Sequence, residues 1–272
     1  MPRAAFVRPL LRAGVYLNLH VGAIAWLILN LAAKQAAVAV PLPLQGLVVF
    51  GALAVYGLDR MGTASPEDVF NHPERTAWLR RHRTWARILV TLALAGLLLC
   101  WVFSPPHTRL GTLIFIPLAI AYAKPLPFLQ QRLQDLPGLK LPFIVLAWTA
   151  FPLLHSKIIP DMDYGIWSLH LLFLLTGNVL WSEWHDAPGD AQSQGTPPGR
   201  FQNLHFVRTL TRATLLTSVI LQAVPTPQIG ILAPSFFLFS QECHLRKHPK
   251  TFARWTDLYL LVSLTIVWRF SN

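Results

Sequence analysis

Apolar residues run along this chain in long stretches separated by short polar connectors. A bilayer-crossing helix needs about 20 mostly apolar residues, and a window of about 19 residues finds such stretches. Nine qualify, at roughly 14–32, 37–58, 87–104, 108–123, 139–155, 164–184, 206–224, 228–242 and 255–270. The fourth, fifth and eighth are short or interrupted by proline. No Gly/Ser linker, low-complexity tract or internal repeat divides the chain. The pattern therefore predicts an all-α fold, a polytopic membrane helical bundle of about nine transmembrane helices forming a single domain over 1–272.

Composition agrees with the pattern. Hydrophobic residues make up 53% of the 272 and charged residues only 13%, with a mean hydropathy of +0.44. An average soluble domain carries about 25% charged residues. With the amino end in the cytosol, 19 of the 23 Lys and Arg fall in inside connectors, and only Lys34, Arg109, Lys157 and Arg269 fall elsewhere. A wrong span count would blur that asymmetry, so the positive-inside rule predicts nine spans with a cytoplasmic amino terminus. The net charge of +11 follows from this distribution and speaks for anionic lipid rather than nucleic acid. Cys100 and Cys243 have no metal-like spacing and imply no disulfide framework. The first segment lacks a small-residue cleavage site and is read as a retained span. Compact connectors suggest a bacterial inner membrane; oligomeric state is not legible.

The twelve carboxylates are distributed unevenly. Seven lie in two longer inside connectors, about 59–86 and 183–205, or at the helix ends that enter them. Acids contribute little to topology, so the positive-inside rule does not account for this clustering. In "WSEWHDAPGD", Glu183, Asp186 and Asp190 stand at i, i+3 and i+7, on one face of a helix, before Pro188 and Gly189 bend or end it. Hard oxygen ligands at that spacing suit a divalent ion such as Mg²⁺, which commonly shares its shell with phosphates. In the first connector Asp59 precedes "SPEDVFNHPER", where Asp68 and Asn71 offer oxygens and Arg75 a planar fork for phosphate. The plainer reading is that Ser65, Asp68 and Asn71 cap a short helix and the arginines meet headgroups. Asn18, His20 and Asn178, inside spans, read as interhelical hydrogen-bonding groups. Trp78, Trp85, Trp184 and Trp255 read as an interfacial belt, and Trp26 and Trp148 as deeper walls.

"DVFNHPER", with Asp68, Asn71, Pro73 and Arg75, resembles the second half of the first Asp-rich motif of the UbiA superfamily of intramembrane prenyltransferases. Asp59 lies nine residues before Asp68, where that family has seven, and the family's middle aspartate has no counterpart. Glu183, Asp186 and Asp190, followed by Gly195 and Thr196, are similar to the second motif. "YAKPLP" looks like the element after the family's fourth helix. The resemblance implies Mg²⁺ held by Asp59, Asp68, Glu183, Asp186 and Asp190, with Asp68, Asp186 and Asp190 as the catalytic acids. It implies diphosphate contacts from Asn71, Arg75, Lys124 and Lys140, and a prenyl or acceptor pocket walled by Tyr122, Trp148, Phe173 and Trp181. The reaction implied is transfer of an isoprenyl group from an isoprenyl diphosphate to an aromatic or other lipophilic acceptor within the bilayer. A non-catalytic prenyl-lipid-binding or scaffold protein on the same fold is the alternative. A transporter is disfavoured, because nearly every acid lies at one membrane face.

Overall fold

The computed structural model describes residues 12–35, 38–61, 66–125, 127–128, 132–133, 136, 139–156 and 168–180, with a few isolated positions between 209 and 265. Among the described residues the regular structure is all helical, with no strand. The helices are α1 (Leu19–Gln35), α2 (Leu42–Met61), α3 (Pro66–Asn71), α4 (Pro73–Arg81), α5 (Arg83–Val102), α6 (Pro106–Ala123), α7 (Lys140–Ser156) and α8 (Ser168–Leu180). Six of these correspond to the first six expected spans. The last three expected spans fall wholly or largely outside the described residues.

Two boundaries differ from expectation for local reasons. The first span was expected from residue 14, yet Asn18 adopts φ 59°, a left-handed turn that an α-helix cannot run through. A helical turn over 12–16 therefore stops, and α1 begins at Leu19. The 59–86 connector, expected as a loop, is helical over much of its length. Pro66 and Pro73 each open a helix, where a missing N–H costs nothing. Glu74 in the first turn of α4 and Arg80 and Arg81 in its last turn complement the helix dipole.

The chain divides into two compact units, the first formed by residues 1–26 and 41–133 and the second by 27–40 and 134–272. In the first unit, α2 and α5 form the main antiparallel pair. A Cβ placed on Gly46 would collide with Cys100 Sγ, one on Gly57 with Val90 Cγ2, and one on Gly96 would stand 2.8 Å from the Phe50 ring. Partner numbers fall along α5 as they rise along α2, which fixes the antiparallel sense. Ala86, Val90 and Ala93 are buried on α5 at spacings of four and three, and Leu47 and Ala54 are buried on α2 seven residues apart. Small residues let the two backbones approach closely. Ser104 ends the pair by donating from Oγ to the Cys100 carbonyl at 2.7 Å. Trp101 Nε1 then donates to the Arg109 carbonyl at 3.2 Å and ties α6 back onto α5.

Both α2 and α5 are long and apolar enough to cross a membrane, by length and composition. At 1.5 Å per residue, their 20 residues span about 30 Å, the thickness of a hydrocarbon core. The outer faces of α5 and α6 are apolar and exposed, including Leu92, Leu98, Leu99, Leu110, Ile114 and Ile120. In the second unit, Val145 and Thr149 on α7 and His170, Leu174, Asn178 and Leu180 on α8 are buried.

Candidate functional site

One end of the first unit collects most of the expected residues that the structure describes. The carboxyl end of α2 arrives there with Asp59, α3 and α4 cross it, α5 leaves from it, and α6 returns to it. Asp59 Oδ1 accepts a hydrogen bond and ion pair from Arg132 Nη1 at 3.1 Å, across 73 residues of sequence. The two side chains are 14% and 25% exposed respectively, so the pair is largely withdrawn from solvent.

α3 carries Asp68 and Asn71 three residues apart, one turn along the same helix face. Only the backbone of Asp68 is described; the Asn71 side chain is half-buried. His72, at φ −133° and ψ 56°, separates α3 from α4, and its carbonyl accepts the Thr76 N–H at 3.0 Å. Arg75 follows within the first turn of α4, half-buried. At the end of α6, Tyr122 is 6% exposed, whereas Lys124 stands exposed where the helix becomes extended at φ −127° and ψ 148°. Asp59, Asn71, Arg75 and Lys124 thus belong to one end of one unit.

The remaining expected residues are placed otherwise. Lys140 opens α7 in the second unit, with its side chain outside the description. Trp148 on α7 and Phe173 on α8 are half-buried in that unit. Trp181, Glu183, Asp186 and Asp190 lie outside the described residues, as do Gly195 and Thr196. Of the polar groups expected to bond between helices, Asn18 does so, donating from Nδ2 to the Tyr56 carbonyl of α2 at 3.4 Å. Of the expected deep walls, Trp26 is half-buried and donates to Gln45 Oε1 at 2.7 Å. Trp85 is 65% exposed at the first turns of α5, where a boundary tryptophan was expected.

Of the five side chains expected to hold Mg²⁺, that of Asp59 is among the described residues, and its carboxylate faces the Arg132 guanidinium. Among the described residues no three carboxylate, thiol or imidazole groups gather as a metal site.

Arg132 was legible in the sequence only as one more basic residue on the inside face. A contact spanning 73 positions leaves no periodic trace. The stack of Trp78 on His82, with ring centroids 4.3 Å apart and planes at 20°, was more accessible, since i and i+4 neighbours meet on a helix. Comparison with protein-family models, with curated proteins and with solved structures gives no match.

Proposed function

We propose that the chain is an integral membrane prenyltransferase of the UbiA type, which moves an isoprenyl group from its diphosphate to an aromatic or other lipophilic acceptor. The observation that carries this reading is the gathering of Asp59, Asn71, Arg75 and Lys124 at one end of an apolar helical unit. The exposed apolar faces of α5 and α6 support the membrane setting. A cytosolic amino end in a bacterial inner membrane belongs to the same reading.

In the proposed reaction the donors of Asn71, Arg75 and Lys124 hold the diphosphate oxygens, and the resemblance gives Lys140 the same role. By the resemblance, Asp68, Asp186 and Asp190, with Asp59 and Glu183 assisting, would hold Mg²⁺, which would supply charge neutralisation for the departing diphosphate. The bond between the allylic carbon and the diphosphate oxygen breaks, and the electron pair leaves with pyrophosphate. The resemblance gives Tyr122, Trp148, Phe173 and Trp181 the role of excluding water from the allylic cation, each aromatic face contributing on the order of 1 to 2 kcal/mol to its stability. The acceptor carbon then attacks the cation and loses a proton to solvent at the mouth of the site.

The experiment is incubation of the purified protein with Mg²⁺, radiolabelled isoprenyl diphosphates of several lengths and a panel of aromatic acceptors. Labelled lipid product together with released pyrophosphate is expected. One observation favours a second reading: the acid that remains at the start of the first motif is engaged by Arg132 rather than exposed to a ligand. That is the arrangement expected of a prenyl-lipid-binding or scaffold protein. Saturable binding of prenyl diphosphates with no turnover across the panel would establish it in place of the enzyme.

A further inference from the structure

We propose that Trp78 is a positioning residue for Arg75: the contacts of its indole with Tyr16 and His82 fix α4 in the orientation from which Arg75 holds the diphosphate. Both residues lie on the inward face of that helix. Arg75, Trp78 and Leu79 are half-buried and Thr76 is buried, whereas Ala77, Arg80 and Arg81 on the other side are exposed. Three residues apart, Arg75 and Trp78 are offset by about 60° around the axis and by one turn along it. A helix of nine residues makes about two and a half turns and does not hold itself together in isolation. Thr76 is its one buried residue, so the orientation of α4 depends on what grips Trp78.

The grip has two sources. His82 stacks on the indole, and its backbone N–H and its Nδ1 each donate to the Trp78 carbonyl at 2.9 Å, so the stacking ring is tied to the residue it covers. Tyr16 meets the same indole at 5.7 Å with planes at 55°, and it comes from the helical turn that precedes α1. That turn has its own anchor. Asn18 redirects the chain at φ 59° two residues after Tyr16, and its Nδ2 donates to the Tyr56 carbonyl of α2 at 3.4 Å. Tyr56 stands three residues before Asp59, so Tyr16 joins α4 to the helix that ends at the site. From the sequence Trp78 reads as part of an interfacial belt. A lipid-facing indole is exposed, as Trp85 is at 65%, whereas Trp78 is half-buried against rings of its own chain.

This inference rests on the proposed function, which gives Arg75 diphosphate oxygens to hold. The test is calorimetric titration of inorganic pyrophosphate, at fixed Mg²⁺, into the full-length protein and its variants in detergent micelles. Arg75→Gln should weaken binding by about 30-fold, the loss of a hydrogen bond to a charged group. Trp78→Ala should weaken it by about tenfold through its lost ring contacts, and Trp78→Phe, which keeps a ring in place, by no more than about twofold. Trp78→Ala added to Arg75→Gln should cost nothing further, because the indole acts through that guanidinium. Added to Lys124→Gln, at the end of α6, it should multiply the loss. Multiplication in both pairs overturns the proposal, since an indole that merely supports the fold weakens every contact alike. Unchanged binding by Trp78→Ala overturns it too. Should Trp78→Ala not fold, Tyr16→Ala decides: it should weaken binding by about threefold and couple to Arg75 but not to Lys124, and the absence of that coupling overturns the assignment. Coupling without prenyl transfer rejects the enzyme reading alone, whereas a native protein that binds no pyrophosphate rejects both.

Discussion

Among the described residues, Asn18 is the non-glycine position with a positive φ, and its side chain is buried. A left-handed residue with a Cβ costs roughly 1 to 2 kcal/mol, which Asn tolerates better than most. Asn18→Ala should lower stability by about 1 to 2 kcal/mol. Asn18→Gly loses the same bond to Tyr56 but relieves the backbone, so its thermal midpoint should lie above that of the alanine variant. The same midpoint for both would show that the turn carries no strain. Asp59 and Arg132 present a different balance, since ion pairs of intermediate burial sit between nearly worthless surface pairs and costly buried ones. Asp59→Ala or Arg132→Ala should each cost about 1 to 2 kcal/mol, and the double variant little more than either. With Asp59 an assisting metal ligand in the proposed site, Asp59→Asn should weaken Mg²⁺ binding, while Arg132→Gln leaves it intact. Calorimetric titration of Mg²⁺ into both variants checks that split.

At the scale of helices, the α2–α5 seam is the most specified feature of the first unit. A leucine at Gly57 would have to displace Val90, and one at Gly46 would have to displace Cys100. Either should destabilise by about 1 to 3 kcal/mol through overpacking, read as a lower thermal midpoint in detergent. Gly51 offers the control. A Cβ there meets Leu97 at an ordinary 3.8 Å, so Gly51→Ala should gain up to about 1 kcal/mol from helix propensity. These helices were legible because twenty-residue apolar runs bounded by Pro, Asp and Arg leave few other choices. The break at Asn18 was not legible, because one residue's φ and its side-chain bond to the Tyr56 carbonyl, 38 positions away, leave no trace in hydrophobic periodicity. The short helix at Pro66–Asn71 was legible as the plainer reading of that connector, whereas the helix from Pro73 was hidden by its charge, although Pro73 and Glu74 are helix-start signals. At the site, "DVFNHPER" could be singled out by residue type, whereas the engagement of Asp59 by Arg132 depends on a fold-level approach that no local pattern encodes.

For the whole molecule, exposed leucines on α5 and α6 imply a chain that stays with the membrane pellet after alkaline carbonate extraction. Recovery in the soluble fraction would refute the membrane setting. Within that setting, Asp186→Asn should abolish prenyl transfer, and full turnover by that variant would remove the second cluster from the proposed mechanism. The contact between Cys100 and Gly46 also gives the molecule a built-in reporter. The thiol packs against Gly46 yet is only half-buried, so its reactivity reports on the fit of the two long helices. In a Cys243→Ser background, Gly46→Ala should displace the Cys100 side chain and change its rate of alkylation by a maleimide, with no label added to the protein beforehand.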